Sequence, residues 1–157
     1  MVLGSVFSPD RVKMSLEGED KDEVFEELVD LYVSRNPSAS RSAILAAIRG
    51  REAKLSTGVK TGFALPHAQT DQVDGVCGIV GISRPGVDYD ALDGKPVHVV
   101  FMILSSAESC ALQLRALKRL AALLDDPQFL PSLINQKDAA GVHAALCRFE
   151  DVLTSAT

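Results

Sequence analysis

Cysteine is scarce in this chain of 157 residues. Cys77, Cys110 and Cys147 are odd in number, far apart and form no CxxC pair. Neither a disulfide framework nor a zinc site is indicated. Buried free thiols in a reducing cytoplasm are the expectation. Long apolar runs are missing too. The longest, Val97 to Leu104, is interrupted by His98 and falls well short of the roughly 18 residues of a membrane span. The opening MVLGSVFSPDR has no basic region followed by a long apolar core, so no signal peptide is read. A cytoplasmic chain without direct membrane insertion is expected. No Walker lysine, GxGxxG, HxH, HExxH or carboxylate cluster is present, so neither nucleotide, metal nor other cofactor is expected. Positive charge is also short. Lys plus Arg is 16 against 21 Asp plus Glu, a formal net charge of −5. Phosphate backbones require clustered cations, so nucleic acid is not the expected partner. An acidic balance suits a chain that meets other proteins.

What is present is a globular composition, 46% hydrophobic and 24% charged, in a length suited to one domain with a sizeable core. Arg11 to Leu16 alternates as a short strand would. Asp20 and Glu23 form a capping-box pattern before a helix with Val24, Phe25, Leu28, Leu31 and Tyr32 on one side, ended by Asn36-Pro37. Ser38 or Ser40 caps a second helix with Ala43, Ile44, Ala47 and Ile48 on its apolar stripe. Residues 57–62 read as loop, and Phe63 to Leu65 as a strand ending at Pro66-His67. Gly75 to Ile82 reads as a buried strand whose glycines let another backbone pack close. Arg84 to Pro96 is a connection with two turn signals. Val97 to Leu104, apolar on both faces, is the central strand. Helical periods follow over Glu108 to Leu124, Pro127 to Ile134 and Asp138 to Phe149, and the tail EDVLTSAT is frayed. This order gives an α/β fold with helices on both faces of a sheet.

The segment Arg51 to His67, REAKLSTGVKTGFALPH, concentrates the chemistry. His67 follows a proline that fixes the backbone and lies beside loop glycines able to bring N–H groups to an anion. A neutral imidazole is a good nucleophile near pH 7. Arg51 is either a solvated charge at a helix end or a guanidinium fork for phosphoryl oxygens. Ser56 and Thr57 either shape a turn or donate a hydroxyl. Gln113 falls within the apolar stripe made by Cys110, Leu117, Leu120, Ala121 and Leu124. Either it sits in the exposed first turns of the helix, or it is a buried amide that needs partners and reaches the His67 pocket as a donor. His98 and His143 read as structural. Asp71, Asp74, Asp88, Asp90 and Asp93 read as turn formers.

Arg51-Glu52, Ser56-Thr57-Gly58, Gly62, Ala64 and Pro66-His67 resemble the signature of fructose/mannitol-type enzyme IIA domains of the bacterial phosphoenolpyruvate–sugar phosphotransferase system. The nitrogen-regulatory IIA proteins share that family. The run from Val87 to Val97, the strand VVFMIL and the leucine-rich helix after it extend the match from about Ser8 to Phe149. The resemblance implies one IIA-type domain over residues 1–157, a three-layer α/β/α sandwich around a mixed sheet of about five strands. It implies that His67 accepts a phosphoryl group from the phosphohistidine of HPr or a paralogue, with Arg51 steadying it. It implies onward transfer to a cysteine of an enzyme IIB domain, or control of a regulatory target protein. Phosphoryl carriage in sugar uptake is the leading expectation and the regulatory role the alternative, which the lack of an IIB-type loop or membrane segment in the sequence speaks for. Thr57 and Gln113 are the candidate additional donors. Gln113 stands where members of this family commonly carry a second histidine, in Gln113-Leu-Arg-Ala-Leu117.

Overall fold

The computed structural model describes residues 2–58 and 60–155. Val59 of the expected loop and residues 156 and 157 of the expected frayed tail lie outside the described residues. In chain order the elements are α1 (Val2–Val6), β1 (Val12–Lys13), α2 (Lys21–Arg35), α3 (Arg41–Glu52), β2 (Gly62–Ala64), β3 (His67–Gln69), β4 (Val76–Val87), β5 (Val97–Ser105), α4 (Cys110–Leu124), α5 (Phe129–Ile134) and α6 (Ala139–Ser155).

The sheet runs β1-β4-β5-β2, and β3 also pairs with β5. Only β4 and β5 are antiparallel to each other; β1 joins β4, and β2 and β3 join β5, in parallel. The sheet is therefore mixed, and β5 is its spine, as its unbroken apolar run requires. Alternation along β5 divides the core. Val100, Met102 and Leu104 pack with Phe25, Leu28, Ile44 and Ile48 of α2 and α3. Phe101 and Ile103 pack with Leu3, Leu120, Phe129 and Leu146 of α1, α4, α5 and α6. Two helix layers thus enclose one sheet, the α/β/α sandwich that the sequence leads one to expect.

Local signals placed the first two long helices well. Asp20 accepts from Glu23 N at 2.9 Å as the N-cap of α2, which stops at Asn36. Ser40, not Ser38, caps α3 by accepting from Ala43 N at 3.2 Å. Val29 replaces Leu31 on the fully buried stripe of α2, and Leu45 replaces Ala43 and Ala47 on that of α3.

Several expectations are corrected. The first strand shrinks to two residues, and a short helix precedes it. Tertiary contacts hold that helix; Leu3, Val6 and Phe7 are buried, and the buried Glu150 accepts from Leu3 N at 3.0 Å. The Arg84–Pro96 connection begins later, because β4 continues past Gly86 (φ +95°) through an irregularity in its pairing with β5. The glycines of β4 receive side chains, not backbone: a Cβ at Gly78 would meet Phe7, and one at Gly81 would meet Leu16 and Leu28. The tail does not fray after Phe149, since α6 runs on to Ser155. No helix among the described residues is long and apolar enough to cross a membrane.

Candidate functional site

The strand carrying His67 follows β2 after only Leu65 and Pro66. Both strands lie on β5, with His67 opposite Ile103. Proline has no N–H to give a ladder, but its carbonyl still accepts from Ile103 N at 2.9 Å. Leu65 turns away from the sheet. Its N–H donates to the Thr57 carbonyl at 3.1 Å, and its own carbonyl meets His67 Nδ1 at 2.7 Å. A carbonyl can only accept, so Nδ1 carries the proton. In the neutral ring Nε2 then keeps a free lone pair.

His67 is half-buried and stands between two open clefts. The larger, about 550 Å³, is lined by Ala47, Gly50, Arg51, Lys54, Gln69 and Gln113 among others. The smaller, about 280 Å³, has an apolar wall of Leu55, Leu65, Leu117 and Ala121, with Ser56, Thr57 and Lys118. Arg51 lines both, as His67 does. It comes from the last turn of α3, and its Nη1 donates to the Leu55 carbonyl at 2.9 Å. One nitrogen is thereby anchored while other donors of the fork stay available. Lys54 adds a second cation that sequence reasoning did not single out, though it lies inside the same segment.

Thr57 is only 4% exposed, and its side chain faces a buried carboxylate. Its Oγ1 donates to Glu52 Oε1 at 2.7 Å, and its N–H reaches both Glu52 oxygens, at 3.1 and 2.8 Å. Tyr89 completes the group, donating to Glu52 Oε1 at 2.7 Å from 2.9 Å beside Thr57 Oγ1. Burial, and then the negative charge of Glu52, hold the Tyr89 phenol far above its ordinary range. The single hydroxyl proton of Thr57 is thus spent on Glu52, which fits the turn-shaping alternative of the sequence reading rather than the donor one. Ser56 Oγ accepts from Gly58 N at 3.1 Å and lines the smaller cleft.

Gln113 is buried on α4 and lines the larger cleft. Its Nε2 donates to the carbonyls of Ala68 at 3.2 Å and Ile103 at 3.4 Å. Because both partners are acceptors, the amide orientation is determined. The donors expected to face the His67 pocket are instead committed to β3 and β5. Its neighbours on the buried stripe are Ala116, Leu120, Leu123 and Leu124, while Cys110 is exposed. His98 Nδ1 meets the Ser83 carbonyl at 3.0 Å, and His143 Nε2 meets the Gly4 carbonyl at 3.0 Å. Sequence reasoning noticed Glu52 and Tyr89 only as parts of longer motifs. A carboxylate on the buried stripe of α3 was the available signal.

Known proteins resemble this chain over most of its length. The family described as "Phosphoenolpyruvate-dependent sugar phosphotransferase system, EIIA 2" matches residues 5–148. A PTS system fructose-specific EIIABC component of Bacillus subtilis is 36% identical over 124 residues, 79% of this chain but 20% of that protein. The chain therefore spans about a fifth of that relative's length. A nitrogen regulatory protein of Bradyrhizobium diazoefficiens is 27% identical over 147 residues, covering 93% of this chain and 95% of that one. The crystal structure of the nitrogen regulatory protein IIA-Ntr from Neisseria meningitidis superposes with a TM-score of 0.85 at 29% identity, over 93% of this chain and 99% of that one. The enzyme IIA-mannitol of Escherichia coli, solved in complex with phosphorylated IIB-mannitol, has a TM-score of 0.74 at 16% identity, over 90% and 98% of the two chains, and shares the fold.

Proposed function

From the premise that this chain belongs to the EIIA 2 family of the phosphoenolpyruvate-dependent sugar phosphotransferase system, whose members carry phosphoryl groups, we propose that it is a histidine phosphocarrier built as one IIA-type domain. The observation that supports it most is the pairing of His67 Nδ1–H with the Leu65 carbonyl. It leaves Nε2 as the nucleophile, at the junction of two clefts that Arg51 shares. The Nε2 lone pair attacks the phosphorus of a donor phosphohistidine on HPr or a paralogue. The donor's P–N bond breaks and its electrons return to the donor ring. The phosphoryl group brings negative charge, which the guanidinium of Arg51 and the ammonium of Lys54 offset. In the onward step a thiolate of an enzyme IIB domain attacks, and the P–Nε2 bond breaks in turn. Such chemistry rests on positioning and charge stabilisation, so the partner must fit closely around His67. The open clefts leave that surface accessible.

The test is incubation with phosphoenolpyruvate, enzyme I and HPr. Acid-labile phosphate is expected on the wild-type chain and none on His67→Ala. No phosphate on the wild type refutes the carrier role. A second reading is a regulatory IIA whose phosphorylation state controls binding to a target protein. It is favoured by the near full-length match to the Bradyrhizobium nitrogen regulatory protein. Rapid loss of phosphate to an added IIB domain supports the transport role. Capture of a target only by one phosphorylation state, with no IIB acceptor, supports the regulatory one.

A further inference from the structure

Glu52 is a carboxylate only 7% exposed, and it is heavily satisfied. It accepts from Thr57 N, Thr57 Oγ1 and Tyr89 OH, and Lys21 Nζ lies 3.8 Å away. The Lys21 ammonium also stands 5.0 Å over the Tyr89 ring. Burying a carboxylate is costly unless donors surround it, so a fold retaining one here has a local reason. The hydrogen-bond path suggests what it is. Glu52 ends α3 directly after Arg51, and its bonds to Thr57 draw residues 53–57 into a closed turn. That turn presents the Leu55 carbonyl that holds Arg51 Nη1. It also presents the Thr57 carbonyl that holds Leu65 N, and Leu65 in turn holds His67 Nδ1. The arginine and the imidazole therefore hang from opposite edges of one turn, and Glu52 is its clasp. Tyr89 reaches the clasp from 37 residues away. Gly58 is closed against the same segment, since a Cβ there would come within 3.0 Å of Tyr89 and 2.8 Å of Ala91.

We propose that Glu52 and Tyr89 are positioning residues for phosphoryl transfer, acting through the 53–57 turn to set Arg51 relative to His67. Neither touches the phosphoryl group. The inference rests on the carrier role proposed above, and its test separates the two. Transfer from phosphorylated HPr is measured by rapid quench for the wild type, Tyr89→Phe, Arg51→Ala and the double variant, with thermal melting of each. Tyr89→Phe keeps the ring and removes only the hydroxyl, with its bond to Glu52 and its contact with Thr57 Oγ1. Its transfer rate is expected to fall roughly tenfold, about 1.4 kcal/mol of barrier. In the Arg51→Ala background the same change is expected to cost less than about twofold, because coupled residues are non-additive. Glu52→Gln, close in volume, is the second variant and is expected to lose more than Tyr89→Phe. Wild-type rates in either folded variant overturn the assignment. So does an equal loss with and without Arg51. So does melting of both variants below the assay temperature, which would make the cluster part of the global core. A wild-type chain that takes up no phosphate refutes the carrier role itself.

Discussion

Replacing Gln113 by leucine separates two roles that its position in the cleft allows. In the structure its amide ties α4 to the carbonyls of Ala68 and Ile103, next to the strand that carries His67. Leucine keeps the approximate shape and removes both donors. Two neutral hydrogen bonds contribute about 0.5–1.5 kcal/mol each. Their lengths of 3.2 and 3.4 Å place them at the weaker end, and leucine's apolar burial offsets part of the loss. The expected destabilisation is about 1–2 kcal/mol, or roughly 2–8 °C in Tm for a chain of this size. A group donating directly to a charged phosphoryl oxygen contributes about 1.5–3 kcal/mol, and its loss would slow transfer roughly 10- to 150-fold. The clamp reading therefore expects a clear drop in Tm with transfer slowed by less than about tenfold. Calorimetry and rapid-quench transfer from phosphorylated HPr measure the two quantities on the same preparation. An unchanged Tm with transfer slowed about a hundredfold would refute the clamp and restore Gln113 as a direct donor.

Arg51→Lys keeps a charge but loses the fork anchored on Leu55; transfer is expected to fall at least about tenfold while staying above that of Arg51→Ala, read in the same quench assay. Gly78→Ala would place a Cβ 2.3 Å from the Phe7 ring, and such overpacking costs about 1–3 kcal/mol, seen as a lowered midpoint in urea. Burial pushes the Cys77 thiol from 9.0 up to about 11. The unfolded chain then releases this proton first, so the contribution is complete below pH 9 and is lost as pH rises towards about 11. Urea titrations between those values should show falling stability, and Cys77→Ala should flatten the slope. Iodoacetamide at neutral pH should label the exposed Cys110 well before the part-buried Cys77, read by peptide mass.

The central strand and the candidate nucleophile His67 were legible for different reasons. Val97 to Leu104 is apolar at every position but His98, and that alone marks a central strand. His67 was legible because proline, glycines and a cation surround it in one short segment. The short elements were not. β3 begins at His67 itself, where Pro66 reads as an end to the strand; only the pairing with Ile103 to Ser105 extends it. α1 has only five residues and is held by contacts with a helix at the other end of the chain. The Glu52 cluster was hidden because Tyr89 lies 37 residues from Glu52 and becomes its neighbour only when the connection after β4 folds back. Thr57 and Gln113 were correctly placed near the cleft, but the direction of a hydroxyl or an amide depends on partners that no local pattern reveals.

The pairing pattern of the sheet bears on how the chain emerges during synthesis. Among the described residues the strand partners of β1, β2 and β3 are β4 or β5, so no strand finds a partner strand until residue 76 has left the ribosome. The N-terminal half, including His67, waits with α2 and α3 able to touch each other and no sheet to rest on. Long-range pairing of this kind slows folding and leaves apolar strands exposed for longer. Appearance of β5 is then the event that gathers β2 and β3 at once, and nascent chains stalled before Ser105 should remain open to protease through the segment bearing His67.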